Sequence, residues 1–206
     1  MTGAIPALRA AHVLLRQPEP RDVVAIRRLG CDAEVERMYG HEAEPQAELT
    51  QAQAEAIYRE LVSGEDPYLW AIEVEGAYVG TAFLHSLEEN ERRASYAIGI
   101  QASRYLGRGF GTEATRLVLA YAFEVLKLHR IVVKVLDFNV RAIACYRKCG
   151  FVEEGREREC ALLDGAWHDD VIMGLLEHEY REASTAWLER DAVRAAARDL
   201  GRSPAG

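Results

Sequence analysis

The stretch NVRAIACYRKCGF, residues 139–151, follows a nearly continuous apolar run, RIVVKVL, at 130–136. Such a run is typical of a strand that is covered on both faces of a sheet. Asn139 is a good N-cap and Gly150 a good C-terminal stop, so the residues between them predict a short helix. Helical spacing places Tyr146 among small apolar side chains. This tyrosine is therefore either a core residue or a group with a chemical role.

A glycine-rich stretch, GRGFGT at 107–112, lies between the apolar run YAIGI and a segment with helical periodicity, EATRLVLAYAFEVL. A helix N-terminus leaves N–H groups unpaired and carries partial positive charge, and glycines let a phosphate come close. A kinase-type phosphate loop does not fit, because Gly111 is followed by Thr112 rather than lysine. A dinucleotide fingerprint does not fit either, because the spacing is GxGxG. A plain loop of small residues remains the alternative.

The N-terminal part of the chain predicts a strand and two helices. The predicted strand is HVLLRQ at 12–17, and Pro20 opens the first helix. The acidic stretch 33–49 is predicted to be irregular. The second helix, LTQAQAEAIYRELVSG, is predicted to end at Gly64.

Alternating patterns predict two hairpins, around Glu75-Gly76 and Asp164-Gly165. The predicted order is strand, helix, helix, three strands, helix, strand, helix and two strands. An additional helix follows from Ala183 to Leu200. This order is typical of one domain with a mixed sheet, an α/β protein.

The two motifs together resemble the GNAT superfamily of acyl-CoA N-acyltransferases, whose N-x-x-A-x-x-x-Y-x-K-x-G-F pattern matches 139–151. The run from YLGRGFGTEA to GFVEEGREREC is similar to the RimJ/RimL branch, as are Asp169 and Met173 in the last hairpin. The resemblance covers residues 12–178. It implies the GNAT fold, a mixed seven-stranded sheet flanked by helices, in a single domain 1–206 with a helical extension at 179–206.

The resemblance implies transfer of an acetyl group from acetyl-CoA to a primary amine, with Tyr146 as general acid. The amine would be a protein N-terminus, such as that of a ribosomal protein, or a cationic small amine. The pyrophosphate would rest on the amides of Gly107 to Thr112, and Gly99 would let the pantetheine arm approach a free strand edge. The family often has Gln or Arg three residues before the middle glycine of the turn, where this chain has Leu106. The implied cofactor-binding residues are Ile98, Gly99, Ile100, Arg104, Leu106, Gly107, Arg108, Gly109, Phe110, Gly111, Thr112, Asn139 and Ala142.

The sequence leaves the general base open. His85, Glu88 and Asp169 lie near predicted strand ends, and deprotonation through water would need no dedicated residue. An acyl-cysteine at Cys145 is rejected, because no histidine is placed as its partner in the motif. A non-catalytic acyl-CoA-binding sensor on the same fold is the alternative function.

The chain of 206 residues has a formal net charge of −8, which argues against nonspecific nucleic-acid binding. Residues 31–66 alone sum to −8 and predict a cationic acceptor, such as a polyamine, an aminoglycoside or a basic protein N-terminus. The predicted acceptor-side residues are Glu34, Glu36, Glu42, Glu44, His85 and Asp169.

Four cysteines without metal-type spacing predict free thiols and no metal site. The sequence shows no apolar run of membrane-span length and no signal-peptide pattern at its start. We therefore expect a cytoplasmic protein that acts away from membranes, as a monomer or homodimer.

Overall fold

The computed structural model describes residues 5–64 and 68–187. The strands are β1 (Leu8–Arg9), β2 (Val13–Arg16), β3 (Tyr68–Val74), β4 (Ala77–Glu88), β5 (Arg93–Ile100), β6 (Arg130–Leu136), β7 (Val152–Leu163) and β8 (Ala166–Leu176). The helices are α1 (Asp22–Leu29), α2 (Ala33–Met38), α3 (Gln51–Ser63), α4 (Phe110–Ala120) and α5 (Val140–Lys148). Residues 177–187 form a further helix, α6, at the end of the described part.

The strands form one mixed sheet in the order β1-β2-β3-β4-β5-β6-β8-β7. All neighbours are antiparallel except β5 and β6, which are parallel. The predicted mixed sheet flanked by helices is confirmed, but it has eight strands where seven were expected. The additional strand is β1, two residues that pair with Leu14 and Leu15 and are too short to show a sequence period.

Helices cover both faces of the sheet. Apolar side chains of α4 and α5 pack on one face, in the larger of two core clusters. Apolar side chains of α1 and α3 pack on the other face. Strand β3 shows the division, because Trp70 and Ile72 belong to the first cluster whereas Ala71 belongs to the second.

Both predicted hairpins form. Glu75 and Gly76 have φ of 53° and 80°, and Asp164 and Gly165 have φ of 49° and 75°. Two consecutive positive φ values are those of the type I′ turn, whose twist matches that of the flanking strands.

The acidic stretch 33–49 is not wholly irregular, because it contains α2. Asp32 caps this helix, and its side chain accepts a hydrogen bond of 3.3 Å from the backbone N–H of Val35. With six residues, α2 is shorter than two helical turns, so its periodicity could not be recognised in the sequence.

The predicted C-terminal helix is described only in part. Helix α6 begins at residue 177, before the expected Ala183, and residues 188–206 lie outside the described part of the chain. Among the described residues, no helix combines the length and apolar character needed to cross a membrane.

Candidate active site

The parallel strands β5 and β6 are paired only at their beginnings. Arg93 to Ser95 pair with Arg130 to Val132, and beyond them the two strands diverge. Backbone N–H groups alternate in direction along a strand, and the N–H of Gln101 donates to Val79 in β4. The N–H groups of Ile98 and Ile100 therefore point away from β4, into the opening between the strands.

The opening is a cleft of about 420 Å³ that the glycine turn, α2 and α5 enclose together with the diverging strands. Most of the residues predicted to bind the cofactor line it, as does Tyr146. These are Ile98, Ile100, Leu106, Gly107, Gly109, Phe110, Gly111, Thr112, Asn139 and Ala142.

Three of the predicted cofactor residues do not line the cleft. Arg104 lies over the ring of Tyr105, and Arg108 lies over the ring of Phe110. The third is Gly99, whose neighbour is the hydroxyl of Tyr39: a Cβ at position 99 would lie 3.4 Å from it. The cofactor contacts predicted for these three residues stay predictions.

The glycine turn has the shape of an anion cradle. Gly107 and Gly109 have φ of 71° and 90°, and a Cβ on either would meet no protein atom within 4 Å. Gly109 is the N-cap of α4 and provides no side chain to pair with the amides of the first helical turn. Those amides, the helix dipole and the open space in front of them fit a pyrophosphate.

Helix α4 is held in place at this end. The carboxylate of Glu113, in its first turn, accepts hydrogen bonds from the backbone N–H groups of His12 and Val13, at 2.6 and 3.1 Å. An acidic side chain is also favoured at a helix N-terminus. The first turn is therefore fixed against β2 before any ligand arrives.

Tyr146 lies in α5 with its ring against Tyr96 and Phe151, at centroid distances of 6.4 and 5.5 Å. The residue is only 5% exposed, yet it lines the cleft. No hydrogen bond of its hydroxyl is found within the described residues. Burial raises the pKa of Tyr146 well above its ordinary value of 10.0, and negative charge on Cys145 raises it further. The phenol therefore keeps its proton at neutral pH.

Asn139 is the N-cap of α5, as predicted. Its side-chain oxygen accepts from the N–H of Ala142 at 3.1 Å, and its amide nitrogen donates to the carbonyl of Met38 at 3.2 Å. The same side chain thus connects α5 with the end of α2 across the cleft. Its predicted contact with the pantetheine arm stays a prediction.

Tyr39, at the end of α2, is a site residue that the sequence did not reveal. Its hydroxyl accepts a hydrogen bond of 3.0 Å from the N–H of Ile100, one of the two edge donors that face the cleft. Burial raises its pKa to about 12, so the hydroxyl also stays protonated. Val35 and Met38 of α2 line the same wall. The one available signal was the capping residue Asp32, which predicts a helix start but not its position over the cleft.

The four predicted acceptor-side glutamates lie outside the cleft lining. Glu34 is 3.6 Å from Arg141, Glu36 is 3.2 Å from His41, and Glu42 accepts from the N–H of Asp164 at 2.8 Å. Glu42 and Glu44 line a second, polar cavity between the end of α2 and the β7–β8 turn. Their part in acceptor binding stays a prediction.

The two predicted residues near strand ends also lie outside the cleft lining. His85 in β4 pairs with Ser86 at 3.1 Å, and Asp169 in β8 accepts from the N–H of Glu159 at 3.0 Å. Asp170, the next residue, does line the cleft. Successive side chains of a strand point to opposite faces, so a shift of one position decides which aspartate faces the opening.

Comparison with known proteins agrees with this fold. The family model of the acetyltransferase (GNAT) domain matches residues 12–152. Spermidine N(1)-acetyltransferase of Escherichia coli (strain K12) is 30% identical over 173 residues, which cover 83% of this chain and 90% of that protein.

Two solved structures extend the comparison. Spermidine N-acetyltransferase from Vibrio cholerae, in complex with CoA and spermine, has a TM-score of 0.67 at 25% identity, with 83% of this chain and 99% of that chain covered. Mycobacterium smegmatis RimJ, in complex with CoA-disulfide, has a TM-score of 0.65 at 25% identity, with coverage of 84% and 87%.

The chain belongs to the GNAT acetyltransferase family. It is an N-acetyltransferase that uses acetyl-CoA, and its relatives include a RimJ protein. The alternative of a non-catalytic acyl-CoA sensor is therefore not retained.

Proposed function

We propose that this enzyme transfers the acetyl group of acetyl-CoA directly to a primary amine, with Tyr146 as the general acid. The observation that carries the proposal is the position of Tyr146: the residue is mostly buried yet lines the cleft, its raised pKa keeps it protonated, and its hydroxyl makes no hydrogen bond within the described residues. A protonated hydroxyl in the cleft wall that makes no hydrogen bond within the described residues is available to donate to a group bound in the cleft.

Each wall of the cleft has a separate task in this proposal. Acetyl-CoA supplies an activated thioester when bound. The first-turn amides of α4 hold the pyrophosphate, and the open turn at Gly107 and Gly109 admits it. The edge N–H groups of Ile98 and Ile100 donate hydrogen bonds to the extended pantetheine arm. The arm thereby replaces the Tyr39 hydroxyl as the acceptor of the Ile100 N–H. Tyr146 donates its proton to the departing sulfur.

The acceptor in this proposal is a cationic primary amine. Asp170, in β8, is the only acidic side chain that lines the cleft within the described residues. The acidic excess of residues 31–66 adds long-range attraction for a cation. The names of two relatives, a spermidine acetyltransferase and one with bound spermine, agree with this class. A polyamine, an aminoglycoside and a basic protein N-terminus all belong to it.

Three sequence predictions remain predictions. They are the RimJ/RimL branch in its narrower sense, the cytoplasmic location and the choice between monomer and homodimer. The expectation that neither nucleic acid nor a membrane is a partner likewise rests on the charge and the sequence pattern alone.

The test is a screen of thiol release from acetyl-CoA with polyamines, aminoglycosides, peptides with basic N-termini and neutral amines of similar size. We expect turnover with cationic acceptors, with a KM that rises with added salt because exposed charge attraction is screened. If thiol is released at the same rate without any amine, the proposal of N-acetyl transfer is wrong. A neutral or acidic best acceptor would contradict only the acceptor class.

A further inference from the structure

A thiol forms part of the cleft wall beside the glycine turn. Cys145 lines the cleft, and its Sγ lies 3.3 Å from the hydroxyl of Thr112 in the first turn of α4. Cys149, the C-cap of α5, lies with its Sγ 3.8 Å from the carbonyl of Thr112. Two thiols and one hydroxyl therefore meet at the positive end of a helix of 11 residues.

This arrangement stabilises the thiolate of Cys145. The neighbouring Cys149 thiol is the largest influence, burial opposes it, and hydrogen bonding from Thr112 adds to it, so the pKa of Cys145 falls below its ordinary value. The thiolate is the nucleophilic form of cysteine. The general-acid site lies next to it in the chain, at Tyr146.

The other three thiols have the opposite environment and provide internal references. Burial and the acidic neighbours Asp32 and Glu36 raise the pKa of Cys31. Cys160 is exposed, but residual burial and Asp170 raise its pKa. The neighbouring Cys145 raises the pKa of Cys149, and burial raises it further.

The cleft that holds Cys145 is also a ligand site on independent grounds. Tyr146 in the same wall is only 5% exposed, and its hydroxyl makes no hydrogen bond among the described residues. In the glycine turn, Gly107 and Gly109 leave open space that a Cβ would fill. Any group attached to Cys145 would extend into this space, since the thiol forms part of its wall.

We propose that Cys145 is a modification site for small alkylating agents and peroxides, and that its modification and the binding of acetyl-CoA exclude each other. The exclusion rests on the assignment of the cofactor to this cleft. With hydrogen peroxide, the Cys145 thiolate attacks one peroxide oxygen, the O–O bond breaks and hydroxide leaves. The sulfur is oxidised by two electrons to sulfenic acid, and the peroxide is reduced by two.

The test is limited labelling of the full chain with iodoacetamide over a series of pH values, with each cysteine quantified by peptide mass spectrometry. Cys145 is expected to be labelled roughly fivefold faster than the exposed Cys160 at neutral pH, because its larger thiolate fraction outweighs its lower intrinsic nucleophilicity. Its rate is expected to level off at lower pH than that of Cys160. Acetyl-CoA should protect Cys145 and leave the labelling of Cys160 unchanged.

Variants separate the site from general damage. After iodoacetamide or peroxide, the unmodified sequence should lose acetyl-CoA binding in calorimetry, whereas Cys145→Ser should keep whatever binding it had before treatment. Thr112→Val should slow the labelling of Cys145, because the hydroxyl 3.3 Å from its Sγ is lost, and Cys160→Ser is a control that should not.

Two outcomes would overturn the proposal: labelling of Cys160 or Cys31 ahead of Cys145, or equal labelling of Cys145 with and without acetyl-CoA. Binding of acetyl-CoA to the untreated protein is measured first. If the untreated protein does not bind acetyl-CoA, the cofactor assignment is wrong. The order in which the cysteines are labelled tests the thiol site independently of that assignment.

Discussion

At the scale of single residues, the site depends on two tyrosines with similar burial and different hydrogen bonding. The hydroxyl of Tyr96 lies 3.1 Å from that of Thr115, so it is satisfied within the core. The hydroxyl of Tyr146 has no such partner among the described residues, although the two rings are in contact. This contrast allows a chemical role to be separated from a structural one.

Tyr146→Phe should lower kcat by about 10²–10⁴-fold, the usual range for loss of a general acid, and leave acetyl-CoA affinity unchanged. The free energy of unfolding should change little, because the ring stays and no protein hydrogen bond is lost. Tyr96→Phe is the matched control. It should cost about 1 kcal/mol of stability, through loss of the Thr115 contact, and keep kcat. Steady-state kinetics and thermal unfolding measure both variants.

The pH profile provides a second readout of the same prediction. The raised pKa of Tyr146 keeps its proton in place at mildly alkaline pH, where the acceptor ammonium begins to deprotonate. The rate should therefore rise with pH and not fall again until well above neutrality. Near-normal turnover of Tyr146→Phe at saturating substrates would instead show that this tyrosine serves packing alone.

Asp170 and Asp169 differ in the face of β8 that they occupy. Asp170→Asn should raise the KM of a cationic acceptor, by up to about fivefold for a partly exposed pair, and leave that of acetyl-CoA unchanged. Asp169→Asn, the adjacent control, weakens the contact with the Glu159 N–H and should leave both KM values unchanged. An equal increase for a neutral acceptor, or the same effect from both variants, would refute the role of Asp170.

At the scale of elements, the glycine turn and α4 form the anion cradle. Of its three glycines, Gly107 and Gly109 need a positive φ, whereas Gly111 does not. A Cβ at Gly111 would meet Ile100 and Cys145 at ordinary contact distances, 3.7 and 3.9 Å. The first two glycines are therefore the ones that this turn requires.

Gly109→Ala should abolish or strongly weaken acetyl-CoA binding, because the methyl group occupies the open space before the helix amides. The left-handed conformation also costs roughly 1–2 kcal/mol of stability for a residue with a Cβ. Gly76→Ala, at φ of 80° and with equally open space, lies in a hairpin outside the cleft lining and should show the stability cost alone. Calorimetry measures the acetyl-CoA affinity of the two variants, and thermal unfolding measures their stability. If both variants bind acetyl-CoA with equal affinity, the glycine turn is not part of the cofactor site.

At the scale of the whole molecule, the cleft exists because a parallel pair of strands diverges within an otherwise antiparallel sheet. β5 and β6 share only three paired positions, and the cleft opens after them. Residues of α2, α4 and α5 line it together with the two strands. The site therefore depends on elements that are far apart in the chain.

The sequence by itself determined the helices and strands with strong periodicity, both hairpins, the cap at Asn139 and the two motifs that resemble the family. All of these depend on contacts between residues close in the chain, so spacing and residue type were enough. The position of Tyr146 in its motif was also sufficient to propose its role, because the spacing of the motif aligns it with the general-acid tyrosine of the family.

Only the tertiary structure decided which side chains meet in the cleft. It replaced Asp169 with Asp170 in the lining, brought Tyr39 to the N–H of Ile100, and placed the four glutamates outside. These outcomes depend on strand register and on the packing of a six-residue helix across the sheet. Both are set by contacts between distant parts of the chain, and a one-residue shift in a strand changes the face without changing the pattern.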